Sequence, residues 1–115
     1  MNTAITVQVP LTINAEELWS ETFGSGWEYA QVAIRVRYQD GADWETPGVA
    51  SVTIGDTPDE RQTAELTVQD LANAYGKLVA MGYHHCGAPI ALGDFDACAS
   101  FDLLQMAVFG ELIYG

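Results

Sequence analysis

The sequence predicts a single α+β domain over residues 1–115, with a mostly antiparallel sheet of three to four strands and two to three helices packed on one face. Four stretches alternate between apolar and polar residues, which is typical of half-buried strands: 5–13, 29–38, 49–54 and 63–66. Three further stretches are predicted to be helices. Two of them begin after residues that typically cap helices, and the third, near the C-terminus, is almost entirely apolar. The order of these elements favours hairpin connections, and therefore antiparallel pairing.

The first strand and the first helix adjoin each other. Residues 5–13 alternate strictly, and Asn14 follows as a helix N-cap with Glu17 in the capping-box position. The helix is predicted over 15–23, with its acids at the N-terminal end that the helix dipole favours, and it ends at Gly24.

Residues 29–38 form the clearest predicted strand. Arg35 and Arg37 share one face of it, opposite an apolar face. They offer an anion site, but in so acidic a chain we expect them to pair with carboxylates across the sheet. The strands 49–54 and 63–66 follow, separated by an acidic turn.

The second helix begins after Thr67, which has Asp70 in the capping-box position, and it ends at Gly82. Its spacing predicts one apolar stripe facing the core. The stripe consists of Val68, Leu71, Tyr75, Leu78 and Val79.

The third helix is predicted over 101–109, with Ser100 as its cap, and seven of its nine residues are apolar. A helix that is apolar on nearly all sides must be covered on nearly all sides. It is therefore either the central core helix or a helix that shares a face with a second copy, in which case the protein is a homodimer.

The charge balance bears on the class of partner. Sixteen acids and four bases give a net charge of −12, and the unusual feature is the shortage of bases. Such a surface repels nucleic acid and anionic membranes, so we expect neither as a partner. It attracts a basic protein surface; the alternative is that the charge only keeps the protein soluble.

Location and redox state follow from what the sequence lacks. No run approaches the length of a membrane span, and no secretory signal pattern opens the sequence, so we expect an intracellular protein. Two cysteines are too few for a disulfide framework, and we expect both to be reduced thiols.

A candidate metal site lies in the last third of the chain. His84, His85, Cys86 and Cys98 are of the right type and number for tetrahedral zinc. The spacing argues against zinc, because three of the four are contiguous and no Cys-x-x-Cys pair is present, so we expect no cofactor. The alternative is that the cysteines are small buried apolar residues beside hydrogen-bonded histidines.

Catalysis is the least favoured class. Cys86 beside a histidine is a possible nucleophile, but adjacent residues rarely have the required geometry. The chain carries no phosphate-binding glycine loop, dinucleotide fingerprint or nucleophile elbow. We therefore predict a protein that is not an enzyme.

A candidate partner-binding site lies in the polar loop after the second strand. Trp44 lies there between Asp43 and Glu45, and an exposed tryptophan flanked by acids is suited to anchor a partner. The alternative is a ring that folds back over the core.

The C-terminal third carries a resemblance. Gly-Tyr-His-His-Cys-Gly at 82–87, Asp-Ala-Cys at 96–98 and Leu-Gln-Met-Ala-Val-Phe-Gly-Glu-Leu-Ile-Tyr-Gly at 104–115 resemble small acidic proteins encoded by phages of actinobacteria. The Ala-Glu-Glu-Leu-Trp segment at 15–19 and the length extend the likeness, although Phe101 stands where that set often has aspartate. The resemblance implies a phage product in a bacterial cytoplasm.

Together these features favour a non-catalytic accessory protein that binds a host or phage protein, of the host-takeover or anti-defence type. A more specific form of this hypothesis is an inhibitor that mimics DNA. Such a protein requires carboxylates spaced like phosphates over one face, and here the acidic residues are scattered along the chain. The alternative is a structural protein, either a zinc-stabilised module or a self-assembling subunit.

Overall fold

A three-stranded antiparallel sheet forms the base of the fold in the computed structural model, which describes residues 12–85 and 88–114. The strands β1 (Ile34–Gln39), β2 (Val49–Ile54) and β3 (Gln62–Leu66) pair in the order β1-β2-β3. Val36 pairs with Val52, which in turn pairs with Ala64, so the apolar residues of all three strands share the inner face. The predicted strand at 5–13 lies almost wholly outside the described residues.

Three helices complete the described architecture: α1 (Ala15–Gly24), α2 (Val68–Ala80) and α3 (Ala97–Phe109). They pack on the inner face of the sheet, with α3 against β2 and β3 and with α1 and α2 against α3. The α+β class and the antiparallel sheet are therefore confirmed. A short second ladder joins β4 (His84–His85) to β5 (Ala88–Pro89).

The first two helices begin as their capping residues predict. The Asn14 side chain accepts from the Glu17 N–H at 2.8 Å. Thr67 and Asp70 form the full reciprocal capping box. Helix α2 ends in a Schellman motif around Gly82, whose φ is +63°, because the N–H of Tyr83 bonds to the Leu78 carbonyl at 3.0 Å.

The strand predicted over 29–38 is wrong in its first half, because β1 begins only at Ile34. Trp27–Tyr29 form a 3₁₀ turn after Gly26, whose φ of +98° redirects the chain. The Trp27 indole N–H bonds back to the Phe23 carbonyl at 3.0 Å, which ties this turn to α1 rather than to the sheet.

The predicted start of the third helix is also wrong. Helix α3 begins at Ala97, and its N-cap is Asp96, whose carboxylate accepts from the Ala99 N–H at 2.9 Å. Ser100 is buried inside the helix instead of capping it. A carboxylate at the N-cap competes well with a serine hydroxyl four residues later, so the helix gains a full turn.

Two further predictions fail on the surface of the domain. Val79 is 42% exposed, and Ala74 takes its place in the buried stripe of α2. Arg35 and Arg37 lie on the outer face of the sheet, opposite Thr53 and Ser51. Within the described residues neither arginine forms an ion pair, since the nearest cross-strand groups are hydroxyls.

Helix α3 is a central core element, and its remaining side is covered within the chain by the segment 111–114. Tyr114 contacts the rings of Phe101 and Phe109, at centroid distances of 6.3 and 6.2 Å. This removes the reason for expecting a second copy there, although the homodimer itself stays a prediction. Light scattering at two salt concentrations tests it: a dimer that tightens with salt supports it, and a monomer under both conditions contradicts it.

Candidate functional site

The loop between β1 and β2 is held rigidly against α1. The fully buried Trp19 donates its indole N–H to the Asp43 carbonyl oxygen at 2.7 Å, which joins the loop to the core. The Asp43 carboxylate accepts from the backbone N–H groups of Glu45 and Thr46, at 2.8 and 2.7 Å. These bonds lower the pKa of Asp43, so its side chain is a carboxylate throughout the neutral range.

Trp44 lies at the exposed tip of this anchored loop. It is 48% exposed, and one face of its ring lies against α1 at Gly24. A β-carbon at Gly24 would stand 2.8 Å from Cε3 of Trp44, so only glycine lets the ring approach this closely. The ring therefore folds back against α1 and still presents about half its surface to solvent, and its role in binding a partner stays a prediction.

An open cleft of about 330 Å³ lies beside Trp44. This aromatic cleft is defined by the side chains that line it together with Gly24: Phe23, Trp27, Glu28, Tyr38 and Trp44. Its floor is rigid, because Phe23 packs against both Trp19 and Tyr38, at ring-centroid distances of 4.7 and 5.7 Å. The cleft thus combines several aromatic rings with a carboxylate.

The charged side chains near the aromatic cleft are acidic. The pKa of Tyr38 is raised to about 12, first by burial of its phenol and then by the charges of Glu28 and Asp43. None of the described residues that line the cleft is basic. Tyr38 is therefore a neutral hydrogen-bonding phenol at physiological pH, in a site that disfavours negative charge.

Sequence reasoning found Trp44, Asp43 and Glu45 but missed Trp27, Glu28 and Tyr38. The strand assigned to 29–38 separated Trp27 from the loop, whereas the 3₁₀ turn brings it alongside Trp44. One signal was available: Phe23 and Trp27 are four residues apart around two glycines, a spacing that places two rings on one side of a turn.

The predicted zinc ligands are only partly within the described residues. Cys86 lies outside them, and the side chains of His84 and His85 lie outside the described part as well. Cys98 is exposed in the first turn of α3, where it lines an apolar cavity of about 460 Å³ together with Phe101 and Tyr114. Among the described side chains, no three potential ligands converge on one metal position. The expectation that no zinc is bound stays a prediction.

Within residues 12–85 and 88–114, none of the helices combines the length and the apolar character that a membrane crossing requires. Comparison of the chain with protein-family models, with curated proteins and with solved structures finds no match.

Proposed function

We propose that this chain is a non-catalytic binding protein that docks onto a basic surface of another protein. The observation that carries the proposal is the anchored, half-exposed Trp44 between two acids. A large side chain held in place before binding loses little conformational entropy on association, and tryptophan is enriched among residues that dominate binding energy. The net charge of −12 favours a basic partner and speeds the encounter with it.

The pKa of Tyr38, which lines the cleft, also supports a binding role over a catalytic one. A general acid or base works best with a pKa near the working pH. The pKa of Tyr38 moves the other way, to about 12, which leaves the phenol protonated and unreactive at neutral pH. The resemblance of residues 82–115 to small acidic phage proteins supports a host or phage protein as the partner, in a bacterial cytoplasm.

The proposal is tested by capture from a bacterial lysate on immobilised protein. Captured proteins are identified by mass spectrometry, and the candidate is then purified and titrated directly. We expect a basic protein that binds the wild type with defined stoichiometry, that is released by salt, and that binds the Trp44→Ala variant at least about tenfold more weakly.

The matched control is Met81→Ala, which removes a 62% exposed apolar side chain at the end of α2, away from the loop. It should bind the partner as the wild type does, and both variants should keep the wild-type melting temperature within a few degrees. Failure of the wild type to bind any purified candidate, or an equal loss in both variants, contradicts the proposal.

A further inference from the structure

We propose that the aromatic cleft binds an arginine side chain of the protein partner. This inference rests on the proposed function and adds the chemical identity of the group that the site recognises. The cleft has two properties that a guanidinium group matches: its rings are held in fixed positions, and the charges near it are negative.

Two of the rings that line the cleft, those of Trp27 and Trp44, are fixed before any ligand arrives. Trp27 is held by its indole bond to the Phe23 carbonyl at 3.0 Å. Trp44 is held by its contact with the Gly24 backbone and by the loop that Trp19 anchors. Both rings therefore need no rearrangement, and a planar group that enters the cleft meets aromatic side chains already in place.

Two carboxylates, those of Glu28 and Asp43, place negative charge in or near the cleft. Glu28 lines it directly and forms no hydrogen bond or ion pair with any described residue. Asp43 lies close enough for its charge, with that of Glu28, to disfavour the Tyr38 phenolate. A cation entering the cleft therefore gains both the attraction of the ring faces and that of a carboxylate that has no other described partner.

Among cationic groups, guanidinium fits this combination best. It is planar and stacks on aromatic faces, it is weakly hydrated, and its N–H groups can reach a carboxylate while the plane remains stacked. A lysine ammonium is compact and strongly hydrated, so it does not stack on aromatic rings and gains less from entering the cleft. A quaternary ammonium has no N–H to donate to Glu28. The open cleft of about 330 Å³ has room for the planar end of one arginine side chain.

The test uses a short peptide with a single arginine among glycines, blocked at both ends. It is titrated into the full chain while the indole N–H signals of Trp27 and Trp44 are followed by NMR. We expect both signals to shift in a saturable manner. The same peptide with citrulline, which keeps the shape but not the charge, should not shift them, and the lysine peptide should bind several-fold more weakly.

The diagnostic variant is Glu28→Gln, which removes the carboxylate and breaks no described hydrogen bond. We expect it to weaken binding of the arginine peptide about three- to tenfold. Glu111→Gln is the matched control, since it removes one negative charge as Glu28→Gln does, at an exposed site after α3. Unshifted indole signals, equal binding of the citrulline or lysine peptide, or equal effects of both variants overturn the assignment.

The two proposals fail in distinguishable ways. If a purified partner depends on Trp44 but binds the Glu28→Gln and Trp27→Ala variants as tightly as the wild type, the arginine assignment is wrong and the binding function stands. If the arginine peptide saturates the cleft but no protein partner binds the wild type, the guanidinium specificity is supported and the proposed function fails.

Discussion

Replacement of Gln105 by leucine is expected to detach the segment 111–114 from α3. The Gln105 side chain is fully buried, and its Oε1 accepts from the N–H groups of Ile113 and Tyr114, at 2.9 and 2.7 Å. Its Nε2 donates to the Tyr114 carbonyl at 3.2 Å. One side chain thus satisfies three backbone groups that no regular element supplies with partners.

The cost follows from these contacts. Leucine has nearly the volume of glutamine, so the cavity term is small. The loss is mainly the three hydrogen bonds to the segment, because the fourth, from Nε2 to the Asp102 carboxylate, is longer at 3.3 Å. At roughly 1 kcal/mol net for each bond, Gln105→Leu should lower the free energy of unfolding by about 3 kcal/mol. Detachment would also uncover Phe101 and Phe109, which Tyr114 contacts.

Urea unfolding measures the loss, and hydrogen exchange at the amides of residues 113 and 114 locates it. The control is Gln69→Leu, because Gln69 is exposed and, among the residues that the structure describes, its side chain bonds to Asn73 alone, in the same helix. That variant should change stability by less than about 0.5 kcal/mol. A Gln105→Leu protein with unchanged amide protection and a loss below about 1 kcal/mol would refute the reasoning.

Further outcomes concern the core, the turns and the cleft. Leu104→Ala, at a fully buried position of α3, should lower the free energy of unfolding by about 2–5 kcal/mol in urea titrations. Gly55→Ala should lower the free energy of unfolding by at least about 2 kcal/mol, because φ is +138° there and a β-carbon would stand 2.7 Å from the Cα of Arg61. Gly76→Ala, at a position in α2 where a β-carbon meets open space, should instead raise it by about 0.5–1 kcal/mol. Since the pKa of Tyr38 in the folded state is raised to about 12, the unfolded chain loses this proton first, and stability should fall as pH rises from about 10 to about 12. Glu28→Gln should lower the pKa of Tyr38 in a phenol absorbance titration, and an unchanged pKa would contradict the contribution assigned to the Glu28 charge.

The parts of the fold that sequence reasoning predicted correctly depend on local signals. Asn14, Thr67 and Asp70 cap helices where expected, because a capping bond spans only three residues of chain. Strand β2 matches its predicted bounds, 49–54, since strict alternation places every second side chain on the buried face. Three positions of the stripe predicted for the second helix are buried: Leu71, Tyr75 and Leu78.

The errors arose where two local signals competed. The alternation that runs from Val32 to Tyr38 does not decide where the strand begins, and the indole bond from Trp27 to Phe23 and the positive φ of Gly26 keep the preceding residues on α1. Ser100 and Asp96 are both good caps, and the longer helix forms because Ala99 and Ser100 of its extra turn are buried against the core. Neither result can be read from the sequence order alone.

The sequence by itself determined the class of fold, the charge that favours a basic partner, and the position of Trp44 between two acids. Only the tertiary structure decided that Trp27, Tyr38 and Trp44 surround one cleft and that Glu28 lines it. The physical reason is the range of the interactions. Caps and alternation act between neighbours in the chain, whereas the cleft depends on Trp19 reaching the Asp43 carbonyl 24 residues away and on a glycine that lets a ring lie against a helix.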